Sequence, residues 1–182
     1  MAETLIISGA HSVGGNTETL VQHVQQNAGP SAEILVLREK RIQHCNGCRT
    51  CERTGSCVID DDMQGIYPLL EHTPSVVLVT PLYFLSVSSV MKQFVDRCQV
   101  LYARRYIHKT LIDDAARRGI VIAQGATENQ GDFAGISLIA RSFFYSIGIR
   151  SIRPLFLTDV DKRGDINLIA SLDEQLRIIL QR

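Results

Sequence analysis

The sequence predicts an α/β protein, with a five-stranded parallel sheet and helices on both faces. Three observations carry this reading. Short apolar runs alternate with segments of helical period in the order β-α-β-loop-α-β-α-β-α-β-α, and crossovers of that kind keep strands parallel. Residues 75–80, SVVLVT, are mostly apolar at successive positions, as a strand covered on two faces requires. The segments after the first, third and fourth strands (9–17, 81–88 and 124–131) are rich in Gly, Ser, Thr or Asn. In open parallel sheets ligands sit at the carboxyl ends of the strands, so these three should form one binding rim.

The elements follow in order. Residues 4–8 form an apolar strand running into Gly9, and Leu20, Val21, Val24 and Ala28 mark one face of a helix that stops at Gly29-Pro30. Residues 33–37 are the second strand. The connection at 38–61 is long enough to be functional or wrapped around something. Asp60, Asp61 and Asp62 then suit the positive pole of a helix carrying Met63, Ile66, Leu69 and Leu70, a capping role rather than metal chelation. Pro68 should bend or shorten that helix. After the third strand, residues 87–102 are strongly amphipathic, with Val90, Met91, Phe94, Val95, Cys98 and Leu101 facing inward. Cys98 reads as core, Asp96 and Arg97 as members of intrahelical or inter-subunit ion pairs. Arg104, Arg105, His108 and Lys109 read as a solvated helix end. Residues 119–123 are the fourth strand, 133–147 a helix closed by Gly148, 149–157 a strand interrupted at Pro154, and 166–180 a terminal helix.

The 182 residues suit one domain, 1–182, with a cysteine-rich insertion at about 38–61. Hydrophobic residues make up 45%, charged residues 21%, and the net charge is +0. That balance argues against nucleic acid as a partner. No basic leader precedes an apolar run, and no stretch approaches the ~20 apolar residues of a membrane span. A cytoplasmic setting without membrane contact is expected. In a reducing compartment clustered cysteines bind metal or do chemistry; they are not disulfide staples.

Four of the five cysteines, Cys45, Cys48, Cys51 and Cys57, fall within thirteen residues in the spacing C-x2-C-x2-C-x5-C. Thiolates this dense reach one centre if the loop wraps around it, as an iron–sulfur cluster or a zinc ion requires. The triplet is ferredoxin-like, although Val58 stands where proline usually follows the last cysteine. Zinc bound by four thiolates, and free or oxidised thiols, remain as alternatives.

The 9–17 loop joins a strand to a helix N-terminus. There, open amides and the helix dipole favour a phosphate, while Gly9, Gly14 and Gly15 let the backbone approach it and Asn16 and Thr17 add donors. No lysine precedes Thr17, so it is not an ATPase P-loop, and it lacks the dinucleotide G-x-G-x-x-G. Residues 81–88 mix aromatic and small polar side chains, suited to an apolar wall and backbone amides against a planar ligand.

Ser8-Gly9 with Gly15-Asn16-Thr17, the cysteine run leading into Asp61-Asp62-Met63, and Pro81-Leu82-Tyr83-Phe84 followed by Lys92-Gln93-Phe94-Val95-Asp96-Arg97 resemble the NADPH-dependent FMN reductase branch of the flavodoxin-like superfamily. More narrowly, they are similar to its iron–sulfur flavoproteins. The resemblance covers about residues 4–157. It implies a flavodoxin-like three-layer sandwich, FMN held by the three rim loops, a homodimer or homotetramer, and a 4Fe-4S cluster near a subunit interface. The implied FMN contacts are Ser8, Gly9, His11, Ser12, Gly14, Gly15, Asn16, Thr17, Pro81, Leu82, Tyr83, Phe84, Ser86, Gly125 and Ala126. The implied cluster ligands are Cys45, Cys48, Cys51 and Cys57. Electrons would come from NAD(P)H or ferredoxin, and no side chain is required as a catalytic acid or base. The alternatives are a metal-free NAD(P)H-dependent FMN/quinone reductase and a thiol-rich metal-binding or redox-sensing module. One departure stands out. Ala10, His11 and Ser12 replace an arginine-bearing segment, so FMN binding should be weaker or more salt-sensitive unless His11 or a distant cation compensates.

Overall fold

A computed structural model describes residues 2–181. Its sheet contains β1 (Thr4–Ser8), β2 (Ala32–Val36), β3 (Ser75–Pro81), β4 (Arg118–Gln124) and β5 (Ser151–Leu157), all parallel, in the order β2-β1-β3-β4-β5. Every residue of β1 and β3 is buried. Successive side chains alternate between two cores, as the strand period demands. Ile6, Val77, Val79, Ile120 and Ile122 pack under α1 (Asn16–Ala28) and α7 (Leu172–Leu180). Leu5, Ile7, Val76, Leu78, Val121 and Ala123 pack on the opposite face under α3 (Met63–His72), α4 (Ser89–Arg97) and α6 (Ala134–Ser146). This is the flavodoxin-like three-layer arrangement.

Several boundaries differ from the sequence reading. Pro154 does not interrupt β5, because β5 is an edge strand and tolerates a missing donor. Pro68 lies inside α3, which runs unbroken through it. The terminal helix is two pieces, a 3-10 turn at Asp165–Leu168 and then α7. The amphipathic segment after β3 divides into α4 and α5 (Gln99–Tyr102), then closes in a π-helical turn at Ala103–Ile107. Within the cysteine segment, α2 (Thr50–Thr54) is a single short helix ended by the left-handed Gly55. Among the described residues no helix is long and apolar enough to cross a membrane.

Candidate cofactor site

The three rim loops converge on one cleft of about 230 Å³ at the carboxyl ends of β1, β3 and β4. His11, Ser12, Gly15, Asn16, Thr17, Pro81, Leu82, Tyr83, Gly125 and Ala126, all anticipated, line it. Ala10 and Gln124, inside the expected rim segments but not named as contacts, also line it, as do Glu18, Val160 and Asp161, which lie outside those segments.

The remaining anticipated residues lie around the cleft without lining it. Ser8 is buried, with its hydroxyl oxygen 3.4 Å from the Ala10 amide nitrogen. Gly9 ties the sheet together: its amide donates to Val79 O at 2.8 Å and its carbonyl accepts from Ser88 Oγ at 2.8 Å. A Cβ there would meet Ser88 and Met91, so Gly9 serves close packing of α4. Gly14 has φ +68 and touches the Arg163 guanidinium. Phe84 is fully exposed at the tip of a tight turn closed by reciprocal Tyr83–Ser86 backbone hydrogen bonds. Phe84 and Leu85 both take left-handed φ, unusual for bulky residues. The amides of Leu82, Tyr83, Ser86 and Ser88 are bonded within the protein, which leaves Phe84, Leu85 and Val87 as the segment's donors.

The Asn16 side chain, which lines the cleft, also reaches across the fold. Its Nδ2 donates to Lys162 O at 2.8 Å and its Oδ1 accepts from the Gly164 amide at 2.8 Å, clamping a turn from 146 residues away. Thr17 Oγ1 accepts from Gln124 Nε2 at 3.0 Å, so its own hydroxyl proton stays free to donate. The Glu18 carboxylate accepts the Gly14 amide and pairs with Arg38. The Gly14 amide, and then Arg38, hold that carboxyl below its ordinary value despite partial desolvation. His11 stacks on Tyr83 with ring centroids 5.7 Å apart and planes 15° from parallel. Gly125 permits the β3 and β4 loops to touch, since a Cβ there would come within 2.8 Å of Leu82 Cβ.

A second cavity, of about 360 Å³, is lined by all four clustered cysteines with Val58, Ile59, Arg97 and Val100 among its other walls. Cys45 and Cys48 are exposed, Cys57 half-buried and Cys51 buried. Burial, then the neighbouring Cys57 and Cys45 thiols, push the Cys51 thiol up. The Thr50 amide and hydroxyl hold that of Cys48 down. The segment is tethered from several elements. Gln93 Nε2 donates to Ile42 O at 2.6 Å, and Arg97 to Gln43 O at 2.8 Å. Arg97 Nη2 lies 3.6 Å from Cys57 Sγ. Arg104 Nε donates to Gly55 O at 2.8 Å and His108 Nε2 to Cys51 O at 3.1 Å. The basic cluster at 104–109 is therefore partly a brace for the cysteine segment; Arg104 also pairs with Glu71, and Arg105 with Asp113. Asp96 forms the expected intrahelical pair with Lys92, whereas Arg97 pairs with Asp61 ahead of α3. Asp61 also accepts the Met63 amide at 3.1 Å, so the capping expectation holds at Asp61 alone; Asp62, at the N-cap position, makes no side-chain cap and accepts the Arg41 amide instead. Cys98 is buried and bonded to Phe94 O, a core residue as expected.

All four thiols line this one cavity, together with Arg49, Glu52, Asp96 and Arg97, but among the described residues no three His, Cys, Asp or Glu side chains stand close enough together to hold a metal ion as they are. The first cleft suits a mononucleotide, with a helix N-terminus at one end and aromatic and aliphatic surfaces at the other.

The NADPH-dependent FMN reductase family model matches residues 2–145. An iron-sulfur flavoprotein of Archaeoglobus fulgidus is 40% identical over 72 residues, 40% of this chain and 33% of that protein. An iron-sulfur flavoprotein of Methanocaldococcus jannaschii is 29% identical over 140 residues, 75% of this chain and 69% of that one. The matched stretch thus spans one third of the first relative and about two thirds of the second. The structure of an NAD(P)H:quinone oxidoreductase from Methanothermobacter marburgensis superposes with a TM-score of 0.70 at 16% identity, covering 99% of this chain and 98% of that one. The likeness over most of the length, together with the rim geometry, places this chain in the NADPH-dependent FMN reductase family.

Proposed function

We propose that the protein is an NAD(P)H-dependent FMN oxidoreductase that also passes single electrons through a 4Fe-4S cluster. The observation that carries the first half is the convergence of the 9–17, 81–88 and 124–131 loops on one cleft. The Thr17 hydroxyl, Ser12 and the amides opening α1 would hold the phosphate. Leu82, Tyr83 and Ala126 would flank the ring. The stacked His11 and Tyr83 rings would flank one side of the bound flavin. Bound FMN supplies hydride acceptance and one-electron donation; the protein supplies position and shielding.

The second half rests on Cys45, Cys48, Cys51 and Cys57 sharing one cavity. A cluster there would supply one-electron chemistry. The Arg97 guanidinium beside Cys57 offers a donor to a ligand sulfur, which favours the reduced, more negative state. NAD(P)H or reduced ferredoxin would be the donor, and the exposed Tyr83, Phe84 and Leu85 support assembly with a second copy.

Anaerobic purification followed by the visible spectrum and iron, sulfide and zinc analysis tests both halves. Flavin bands with four irons per chain are expected, together with NAD(P)H oxidation. Flavin without iron would leave a metal-free reductase, and zinc without flavin would overturn the proposal.

A further inference from the structure

Resting on the FMN reading above, we propose that Arg163 supplies the counter-charge for the FMN phosphate and makes the site prefer FMN to riboflavin. The 9–17 loop itself carries no arginine or lysine. Its histidine is occupied elsewhere: the His11 ring stacks on Tyr83 and its Nε2 lies 3.3 Å from Ser89 Oγ. Arg38 is the nearest other cation tied to the loop, but it is neutralised by Glu18. Those two charges cancel where a phosphate dianion must sit.

Arg163 is different. Its guanidinium lies against Gly14, the loop residue whose φ of +68 and missing Cβ leave room for it. Among the described residues it forms no ion pair. Its position is built rather than incidental. Asn16 grips the turn on both sides of Arg163, through Lys162 O and the Gly164 amide. The Asp165 carboxylate accepts the Asp161 amide at 3.0 Å and the Lys162 amide at 2.6 Å. Gly164 takes the left-handed φ of 98 that the turn needs. Asn16, at the start of α1, therefore fixes the backbone on both sides of Arg163, whose guanidinium stands at Gly14 beside the lined part of the cleft, while Thr17, next to Asn16, keeps a hydroxyl for the ligand. With the backbone of its turn held in place, the exposed guanidinium can turn to a phosphate and bond it bidentately. Lys162, the other cation of the turn, lines the neighbouring cavity with Asp159, Asp161 and Asp165 instead.

The test is the ratio of riboflavin to FMN dissociation constants, measured by flavin fluorescence quenching on the full-length protein. Riboflavin presents the same ring without the phosphate. Arg163→Gln should weaken FMN about tenfold or more and leave riboflavin within about twofold, and it should flatten the salt dependence of FMN binding. Lys162→Gln should move neither constant by more than about twofold. Arg163 is exposed, so both variants should fold; melting temperatures check this. An unchanged ratio in Arg163→Gln, or equal loss of both flavins, overturns the assignment while leaving the FMN reading intact. Failure of the unaltered protein to bind FMN overturns both.

Discussion

Arg97 and Asp61 form a two-point ion pair with essentially no solvent contact: Arg97 Nη1 bonds Asp61 Oδ2, and Nη2 lies 3.1 Å from Oδ1. Burial opposes the charge on both groups, yet their mutual hydrogen bonds prevail. Arg97 is held above its ordinary value and Asp61 below. Removing one partner strands the other. Asp61→Asn should cost about 3–5 kcal/mol, read as a shift in urea midpoint, and should loosen the cysteine segment that Arg97 also grips.

The same pair sets an acid limit. A carboxyl depressed in the folded state contributes stability above its unfolded value, and that contribution is lost as pH falls through the folded value. Unfolding free energy should therefore fall from about pH 5 downward. In Asp61→Asn that slope should be shallower, as denaturant titrations across the range would show.

Thr17 and Gln124 join α1 to the end of β4 across the floor of the cleft. Thr17→Val removes the hydroxyl offered to the ligand and leaves the buried Gln124 amide without its partner. A loss of about 1–3 kcal/mol in stability is expected, with FMN affinity reduced about tenfold. Thr17→Ser should restore both, which separates the hydrogen bonds from packing.

Gly125→Ala places a methyl group against Leu82. The β3 and β4 loops must part, so FMN binding should weaken several-fold. The clash is with Leu82 Cβ, close to the main chain, so a loss of about 1–3 kcal/mol in stability should accompany it, read as a lower melting temperature. Titration of the purified variant with FMN reads the weakened binding directly.

Cys57→Ser should abolish iron retention while leaving the flavin spectrum in place, since the two cavities have separate walls. Cys98→Ala is the control. That thiol is buried and bonded to Phe94 O, away from the other four, and its variant should retain iron.

Much of this was legible in the sequence because periodicity and small-residue turns are local signals. Residues 4–8 form the strand their apolar run indicates, and ten of the anticipated contacts line the cleft. What stayed hidden depends on long-range contact. Arg163 approaches Gly14 only because the turn after β5 folds back over α1, and nothing local says that Asn16 also clamps that turn. Arg97 finds Asp61 across 36 residues. The side chains at 104 and 108 look like an exposed helix end, since nothing local says that a π-helical turn brings them to Gly55 and Cys51. Phe84 could be named but not oriented, because the left-handed turn that lifts it outward is rare for such residues.

Helix α4 runs from beside the cleft to the wall of the cysteine cavity. At its start Ser88 fastens Gly9 of the phosphate loop; at its end Arg97 fastens the thiol-bearing segment. The nine residues span about 14 Å at the helical rise. Inserting or deleting one residue within it would swing everything beyond by about 100°, carrying Arg97 off Asp61 while Ser88 kept its place. The helix thus works as a fixed-length gauge block: its residue count, as much as its composition, keeps the two chambers in phase.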